Sequence, residues 1–331
     1  MSILVTGSSG HLGEALMRTL KGRALAATGL DRIAGPFTDA IGSIADRTCV
    51  RRLMAGARTV LHAATLHKPH VGTHDREAFV ETNVRGTLIL LEEAVAAGVE
   101  SFVFTSTTSA FGDALVPPPG EPAAWITEAA PSIPKNIYGV TKTAAEDLCQ
   151  LFHRNERLPC IVLRTSRFFP EEDDSQAVRA AFSSENTKMN EFLCRRVDIE
   201  DVVAAHLIAA RRAPRLGFGK FIVSATTPFL PNDLATLRED APSVAFARVP
   251  EFVTEYQRRG WRMFPSIDRV YVNAKARREL GWAPQWDFLR LVRQLQNGEA
   301  LGSDLARLVG AKGYHPERFA DGPYPVGSVR G

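Results

Sequence analysis

The sequence predicts an α/β protein: a doubly wound parallel sheet with a smaller C-terminal substrate domain. Three observations point there. Short apolar runs alternate with helix-length amphipathic stretches through the first half of the chain, the pattern of parallel β-α-β units. A glycine-rich turn directly follows the first apolar run and opens the first amphipathic stretch. The C-terminal third is less periodic, which suits an annex over the strand ends, where open α/β sheets bind ligands. At about 150 residues per domain, 331 residues leave room for roughly two domains.

Ile3-Leu-Val reads as the first strand, and Leu12 to Lys21 has helical spacing. Ala24-Leu-Ala-Ala-Thr-Gly-Leu reads as the second strand and ends in Asp31. Thr59-Val-Leu-His-Ala-Ala and Ser101-Phe-Val-Phe-Thr-Ser are two more strands. Between them, Asp75 to Ala97 predicts a long helix with Phe79, Val84, Leu88, Leu90, Leu91 and Ala94 as its apolar positions. Tyr138 to Arg154 is a further helix, and Cys160-Ile-Val-Leu-Arg the next strand. Two stretches break the rhythm. Gly112 to Asn136 is rich in proline and reads as a long functional loop or lid. Phe169 to Arg196 is polar and irregular. The tail from Gly310 to Gly331 carries many Gly and Pro; it reads either as wrapping the body or as reaching a partner subunit.

Composition excludes several classes. Hydrophobic residues make up 45% and charged residues 23%, as in an ordinary globular chain. The net charge of +3 carries no basic face of the kind nucleic acid requires, so no nucleic-acid partner is expected. No apolar run reaches membrane-spanning length, and Met1-Ser-Ile-Leu-Val-Thr-Gly lacks the basic start of a secretory leader. Cys49, Cys149, Cys160 and Cys194 are scattered without metal or disulfide spacing, which predicts buried thiols in a cytoplasmic protein.

The glycines of Gly7-Ser-Ser-Gly10-His-Leu-Gly13 have separate physical purposes. The first permits a tight turn, the second lets a pyrophosphate approach the backbone, and the third allows close packing of helix on strand. The helix N-terminus then faces the phosphates with free N–H groups. Asp31, at the end of the second strand, is placed to accept hydrogen bonds from a ribose diol and to repel a 2′-phosphate. It predicts NAD rather than NADP, although Arg32 next to it suits the phosphate. Tyr138-Gly-Val-Thr-Lys142 puts a phenol and an amine one turn apart on one helix face. A phenol titrates near ~10; a nearby ammonium stabilises its anion, so that the tyrosine acts as a general base. Thr105-Ser106-Thr107-Thr108-Ser109 ends the strand before it and offers hydroxyls to the same substrate oxygen.

Together these residues resemble the extended short-chain dehydrogenase/reductase family, the NAD-dependent epimerase/dehydratase group. The likeness covers most of the chain. Val60-Leu-His-Ala-Ala is similar to the family's fourth-strand segment, and Thr82-Asn83-Val-Arg-Gly-Thr to its Asn-containing helix. Phe104-Thr-Ser-Thr-Thr-Ser-Ala-Phe-Gly112 is similar to its Ser-rich strand, and Leu163-Arg164 to its Leu-Arg strand. Val197-Asp-Ile-Glu-Asp-Val202 and Lys275-Ala-Arg-Arg-Glu-Leu-Gly-Trp282 resemble two C-terminal signatures. The resemblance implies a Rossmann-type NAD domain over 1–165 plus 197–225 and a substrate domain over 166–196 plus 226–331.

Roles follow position by position. Thr107 would be the catalytic hydroxyl, Tyr138 the base, and Lys142 the group that grips the nicotinamide ribose and lowers the tyrosine pKa. Asn83 would be the supporting asparagine. The cofactor would meet Gly7, Ser9, Gly10, His11, Leu12 and Gly13 at the turn, Asp31 and Arg32 at the ribose, and Ser43 and Ile44 at adenine. Ala63, Ala64, Thr65, Thr105, Thr165 and Ser166 would line its remaining length. His67, Thr108, Ser109 and Arg167 would face substrate, with Arg167 as an anion or hydroxyl clamp. The family's usual acidic residue is replaced by Ser43, and dehydratases of the family carry an acidic pair where Thr108 and Ser109 stand here, which counts against dehydration. The connection from Arg164 to Asp198 is shorter than nucleotide-sugar epimerases need, and Arg167-Phe-Phe-Pro-Glu-Glu-Asp is faintly similar to uronate dehydrogenases. His67, His70 and His74 cluster on a Pro69-interrupted loop and predict no metal. The resemblance also implies a homodimer through the helices of 75–97 and 138–154. The expected activity is NAD-dependent oxidation of a hydroxyl on a sugar, sugar acid or polyol. Transient oxidation within a nucleotide-sugar epimerase is the alternative, and a non-catalytic dinucleotide sensor on the same fold a third.

Overall fold

The computed structural model describes residues 2–313. The part of the C-terminal tail beyond residue 313, whose role the sequence leaves open, lies outside the described residues.

Seven parallel strands form the main sheet in the order β3-β2-β1-β4-β5-β7-β8. They are β1 (Ser2–Thr6), β2 (Ala27–Asp31), β3 (Ala40–Ile41), β4 (Ala57–His62), β5 (Ser101–Thr107), β7 (Cys160–Thr165) and β8 (Phe218–Val223), with β6 (Ala124–Ile126) lying elsewhere. The order turns at β1, which pairs with both β2 and β4, so the first crossover runs one way and the later ones the other. That reversal opens a crevice at the strand ends. Phe102, Phe104, Ile161 and Val162 have no more than 1% exposure, as expected for strands covered on both faces.

Helices α1 (His11–Gly22), α2 (Arg47–Met54), α3 (Arg76–Phe79), α4 (Gly86–Ala96) and α5 (Ile137–Glu156) serve this half. On one face, Leu16, Met17 and Leu20 of α1 pack with Val202, Val203 and Ala205 of the later helix that starts at Ile199. On the other, α2, α4 and α5 bury Val50, Leu90, Leu91 and Ala145. The long helix expected over 75–97 forms, but its middle widens into a π turn at Val80–Arg85 between α3 and α4. Asp75 caps its start by accepting from Ala78 N. Asn136, two residues before the tyrosine, caps α5 by accepting from Gly139 N.

The structure departs from the sequence expectation in three places. The second strand starts at Ala27, because Ala24 turns the chain at positive φ. The proline-rich stretch is not all loop: β6 pairs in parallel with β9 (Arg269–Tyr271) as a separate two-stranded sheet. The irregular stretch after Phe169 contains α6 (Gln176–Ala181) and α7 (Ser184–Phe192), capped by Ser175 and Ser183. Short capped helices like these carry too few apolar positions to show a period.

The remaining helices are α8 (Ile199–Leu216), α9 (Leu234–Glu239), α10 (Ala241–Arg248), α11 (Val253–Arg259), α12 (Phe288–Gln296) and α13 (Asp304–Val309). A second apolar cluster, including Phe192, Phe229, Leu237, Phe252, Tyr256 and Phe288, gathers α7 and α9 to α12. Two carboxylates at the start of α8 tie C-terminal segments to that helix. Asp198 accepts from Ser303 Oγ at 2.6 Å and from Ser303 N at 3.0 Å. Asp201 accepts from Gln285 N and Trp286 N, while its own carbonyl accepts from Trp282 Nε1. Burial holds the Asp201 carboxyl up at about 7 despite these bonds. All four cysteines are buried and free.

Candidate active site

The glycine turn sits where β1 hands over to α1. Gly7 takes φ +77°, and a Cβ there would stand 2.7 Å from Ala64 N. A Cβ on Gly13 would stand 1.8 Å from Gly7 O. Neither position admits a side chain, so the turn is a bare backbone cradle ahead of a helix N-terminus, the arrangement that suits a pyrophosphate. Asp31 is oriented beside it, accepting from Ser9 N at 2.9 Å and Ile33 N at 3.0 Å. Ser9 Oγ bonds Thr38 Oγ1 and donates to Ile33 O, which folds the loop after β2 against the turn.

A single cleft of about 1040 Å³ runs from this cradle to Tyr138. The turn residues from Gly7 to Gly13, Asp31, Arg32, Ser43 and Ile44 line one end. Ala63, Ala64, Thr65, Thr105, Thr165 and Ser166 line its middle. His67, Thr107, Thr108, Ser109, Tyr138 and Arg167 line the far part. The side chains follow the strand ends. Thr165 Oγ1 donates to Ser106 O, Thr105 Oγ1 bonds His206 Nε2 at 2.8 Å, and Ser43 Oγ accepts from Ala45 N. Ser166 Oγ is buried with no hydrogen-bond partner among the described residues.

Tyr138 is 8% exposed and faces the cleft. Burial pushes its phenol up to about 12, while a hydrogen bond from Thr107 works the other way. Lys142, on the same face of α5, is buried beside the cleft without lining it, with Nζ 4.0 Å from the Phe104 ring centroid. Burial lowers its ammonium to about 7, against the pull of Glu146. The acidified phenol expected from the Tyr-x-x-x-Lys spacing is therefore absent from the protein alone. Desolvation disfavours charge on both groups.

Asn83 lies in the π turn. Its Oδ1 accepts from Leu66 N and Thr65 Oγ1, both at 2.8 Å, and its Nδ2 donates to Leu66 O and Thr141 Oγ1. One buried amide thus joins the strand-four loop to the tyrosine helix. The extra residue of a π turn often marks such a functional position. Below, Glu146 accepts from Arg164 Nη2 at 2.6 Å and from Ser106 Oγ at 2.5 Å, which binds α5 to β5 and β7.

On the substrate side, His67 packs its ring 6.3 Å from the Tyr138 ring, and burial lowers its imidazole to about 3, so it is neutral. Arg167 faces the cleft and is held among carboxylates. Burial opposes its charge, and the carboxylates of Glu191, Asp173 and Asp174 more than compensate, each close enough to form an ion pair. Three side chains that carried no motif also line this end: Arg195, Arg269 and Tyr271. Each stands immediately before a recognised signature or within the strand leading to one, which is the only sequence signal that singles them out. No three His, Cys, Asp or Glu side chains among the described residues converge as a metal site.

Comparison with known proteins matches residues 3–220 to the model of the "NAD dependent epimerase/dehydratase family". The chain is 33% identical over 135 residues to a UDP-glucose 4-epimerase of Erwinia amylovora, covering 35% of this chain and 40% of that protein. It is 29% identical over 319 residues to a dTDP-glucose 4,6-dehydratase of Streptomyces antibioticus, covering 87% and 89%. Among solved structures, a short-chain dehydrogenase/reductase superfamily protein from Agrobacterium tumefaciens, with bound NAD, superposes with a TM-score of 0.64 at 22% identity. It covers 90% of this chain and 96% of that one, a likeness of fold.

Proposed function

The chain belongs to the NAD dependent epimerase/dehydratase family, and on that premise we propose that it is an NAD-dependent oxidoreductase acting on a hydroxyl of a sugar, sugar acid or polyol. The observation that carries this reading is that Tyr138, Thr107 and the glycine turn share one cleft.

The cradle at Gly7 to Gly13 would hold the pyrophosphate, Asp31 the adenosine ribose, and Ser43 and Ile44 the adenine. NAD supplies a hydride acceptor and a positive ring when bound. The residues of the chain do the rest. Thr107 donates to or accepts from the substrate hydroxyl and keeps it beside Tyr138. Tyr138 removes the proton. Its phenol rests high at about 12, so proton removal depends on positive charge nearby. Lys142 supplies part of that charge whenever it is protonated, and it titrates near neutrality at about 7. Asn83 fixes the distance between the loop of Leu66 and α5. Leu66, Phe168 and Phe169 give the cleft apolar wall.

A nucleotide-sugar epimerase is the second reading. Arg195 and Arg269 at the far end of the cleft suit an anionic substrate, whether a sugar carboxylate or a sugar phosphate. Thr108 and Ser109 offer no acid for dehydration. We further propose that the active form is a homodimer, since Val80, Val140 and Leu151 are exposed on the 75–97 and 138–154 helices.

The test is a panel of sugars, sugar acids, polyols and nucleotide sugars, followed by the absorbance of reduced nicotinamide and by product analysis. Net reduction of NAD by a free sugar or sugar acid supports the dehydrogenase. Epimer formation from a nucleotide sugar without net reduction replaces it with the epimerase. Tyr138→Phe is expected to lower turnover by about 10²–10⁴-fold with NAD affinity nearly unchanged. Turnover equal to wild type in that variant removes Tyr138 from its role.

A further inference from the structure

We propose that Lys312, in the segment after α13, is a cofactor-binding residue that serves the pyrophosphate at the glycine turn. The proposal rests on the NAD reading above. Glu14 stands in the first turn of α1 with only 3% of its surface exposed. A fixed carboxylate there opposes the binding of an anion at the same helix end. Two cations answer it: Arg18 from the same helix at 2.8 Å, and Lys312 Nζ at 2.5 Å from Glu14 Oε2. Of these two, only Lys312 lines the cleft, together with Gly10, His11 and Glu14.

Independent support comes from His11. Both of its ring nitrogens are buried and have no hydrogen-bond partner among the described residues. The ring lies in the cleft wall, stacked 5.8 Å from Phe168. Two polar atoms without partners among the described residues, a bare backbone turn and an ammonium with further donors beyond its bond to Glu14 share one stretch of wall. That set suits a doubly charged diphosphate better than it suits water alone. Lys312 is carried there by a secure attachment. Ser303 at the start of α13 is held by Asp198, α13 packs on α1, and Gly310 turns the chain off the helix at φ +59°. Cofactor affinity is thereby linked to the docking of the C-terminal helix.

The experiment is titration calorimetry on the full chain with NAD, ADP-ribose and adenosine, for wild type, Lys312→Ala, Lys312→Arg and Glu14→Gln. Lys312→Ala is expected to weaken NAD and ADP-ribose by about five- to tenfold at low salt, less at high salt, and to leave adenosine within about twofold. Lys312→Arg restores most of the loss, and Glu14→Gln binds the diphosphates as tightly as wild type or more so. The proposal is overturned if Lys312→Ala binds NAD like wild type. It is equally overturned if adenosine weakens in parallel, or if Glu14→Gln loses as much as Lys312→Ala, since the ion pair is then purely structural. A wild type that binds no NAD removes the underlying reading as well. Wild-type binding with an indifferent Lys312 removes this proposal alone.

Discussion

Glu146 and Glu191 have no exposed surface, and each is ringed by basic side chains, yet they serve opposite ends. Glu146 belongs to the regular half. It accepts both an Nε and an Nη2 bond from Arg164, takes a third bond from Ser106, and has Lys220 at 3.1 Å. Arg164 is 3% exposed, so this charge pair is sealed between helix and sheet, one turn beyond Lys142. Glu191 belongs to the irregular lobe. It faces Arg167, Arg195 and Arg196, and the first two are a fifth or more exposed and line the cleft. The first network fixes the tyrosine helix in place. The second matches three guanidiniums with Glu191, Asp173 and Asp174, and two of its arginines line the cleft.

The comparison breaks most visibly at Glu146. Glu146→Ala strands Arg164 in the interior, and the unfolding free energy from urea titration should fall by about 3–5 kcal/mol. A loss below about 1 kcal/mol would mean the sealed pair contributes little. Glu191→Gln keeps the shape and removes the charge, and should cost about 1–3 kcal/mol. Because Arg167 and Arg195 then reorient, KM for the substrate found by the panel should move while kcat holds. If kcat falls and KM holds, the lobe network belongs to the proton-transfer machinery and the contrast fails.

A smaller effect sharpens the regular side. Burial takes Lys142 from its ordinary 10.5 to about 7. Between these values the unfolded chain keeps a proton that the folded chain has released, so stability rises with pH across that window. The cost of burying the ammonium is full below about pH 7 and fades toward about pH 10.5. Lys142→Met should therefore raise the melting temperature most near neutrality and little at about pH 10. A gain independent of pH would show that Lys142 carries no buried charge.

Much of the regular half was legible because its information is local. The spacing of Gly7, Gly10 and Gly13 after an apolar run dictates strand, turn and helix, and the three residues between Tyr138 and Lys142 dictate a shared face. Asp31 is found by counting. What spacing cannot supply is the partner across the gap. Arg167 reads as a substrate clamp, and nothing in its own segment shows that Glu191 of α7 stands beside it. The phenol of Tyr138 reads as acidified until desolvation is weighed, and desolvation depends on Leu66 and Phe79 packing around it. The π turn at Asn83 was invisible because one extra residue in a helix leaves the apolar pattern almost unchanged. Ala124–Ile126 was hidden among flanking prolines, and a three-residue strand shows no alternation.

That short strand has a mechanical meaning. Ala124–Ile126 and Arg269–Tyr271 share a ladder of backbone hydrogen bonds, so the proline-rich flap and the arginine-bearing strand form one stiff piece. A displacement of the 112–136 stretch would have to break this ladder or carry Arg269, which lines the cleft, along with it.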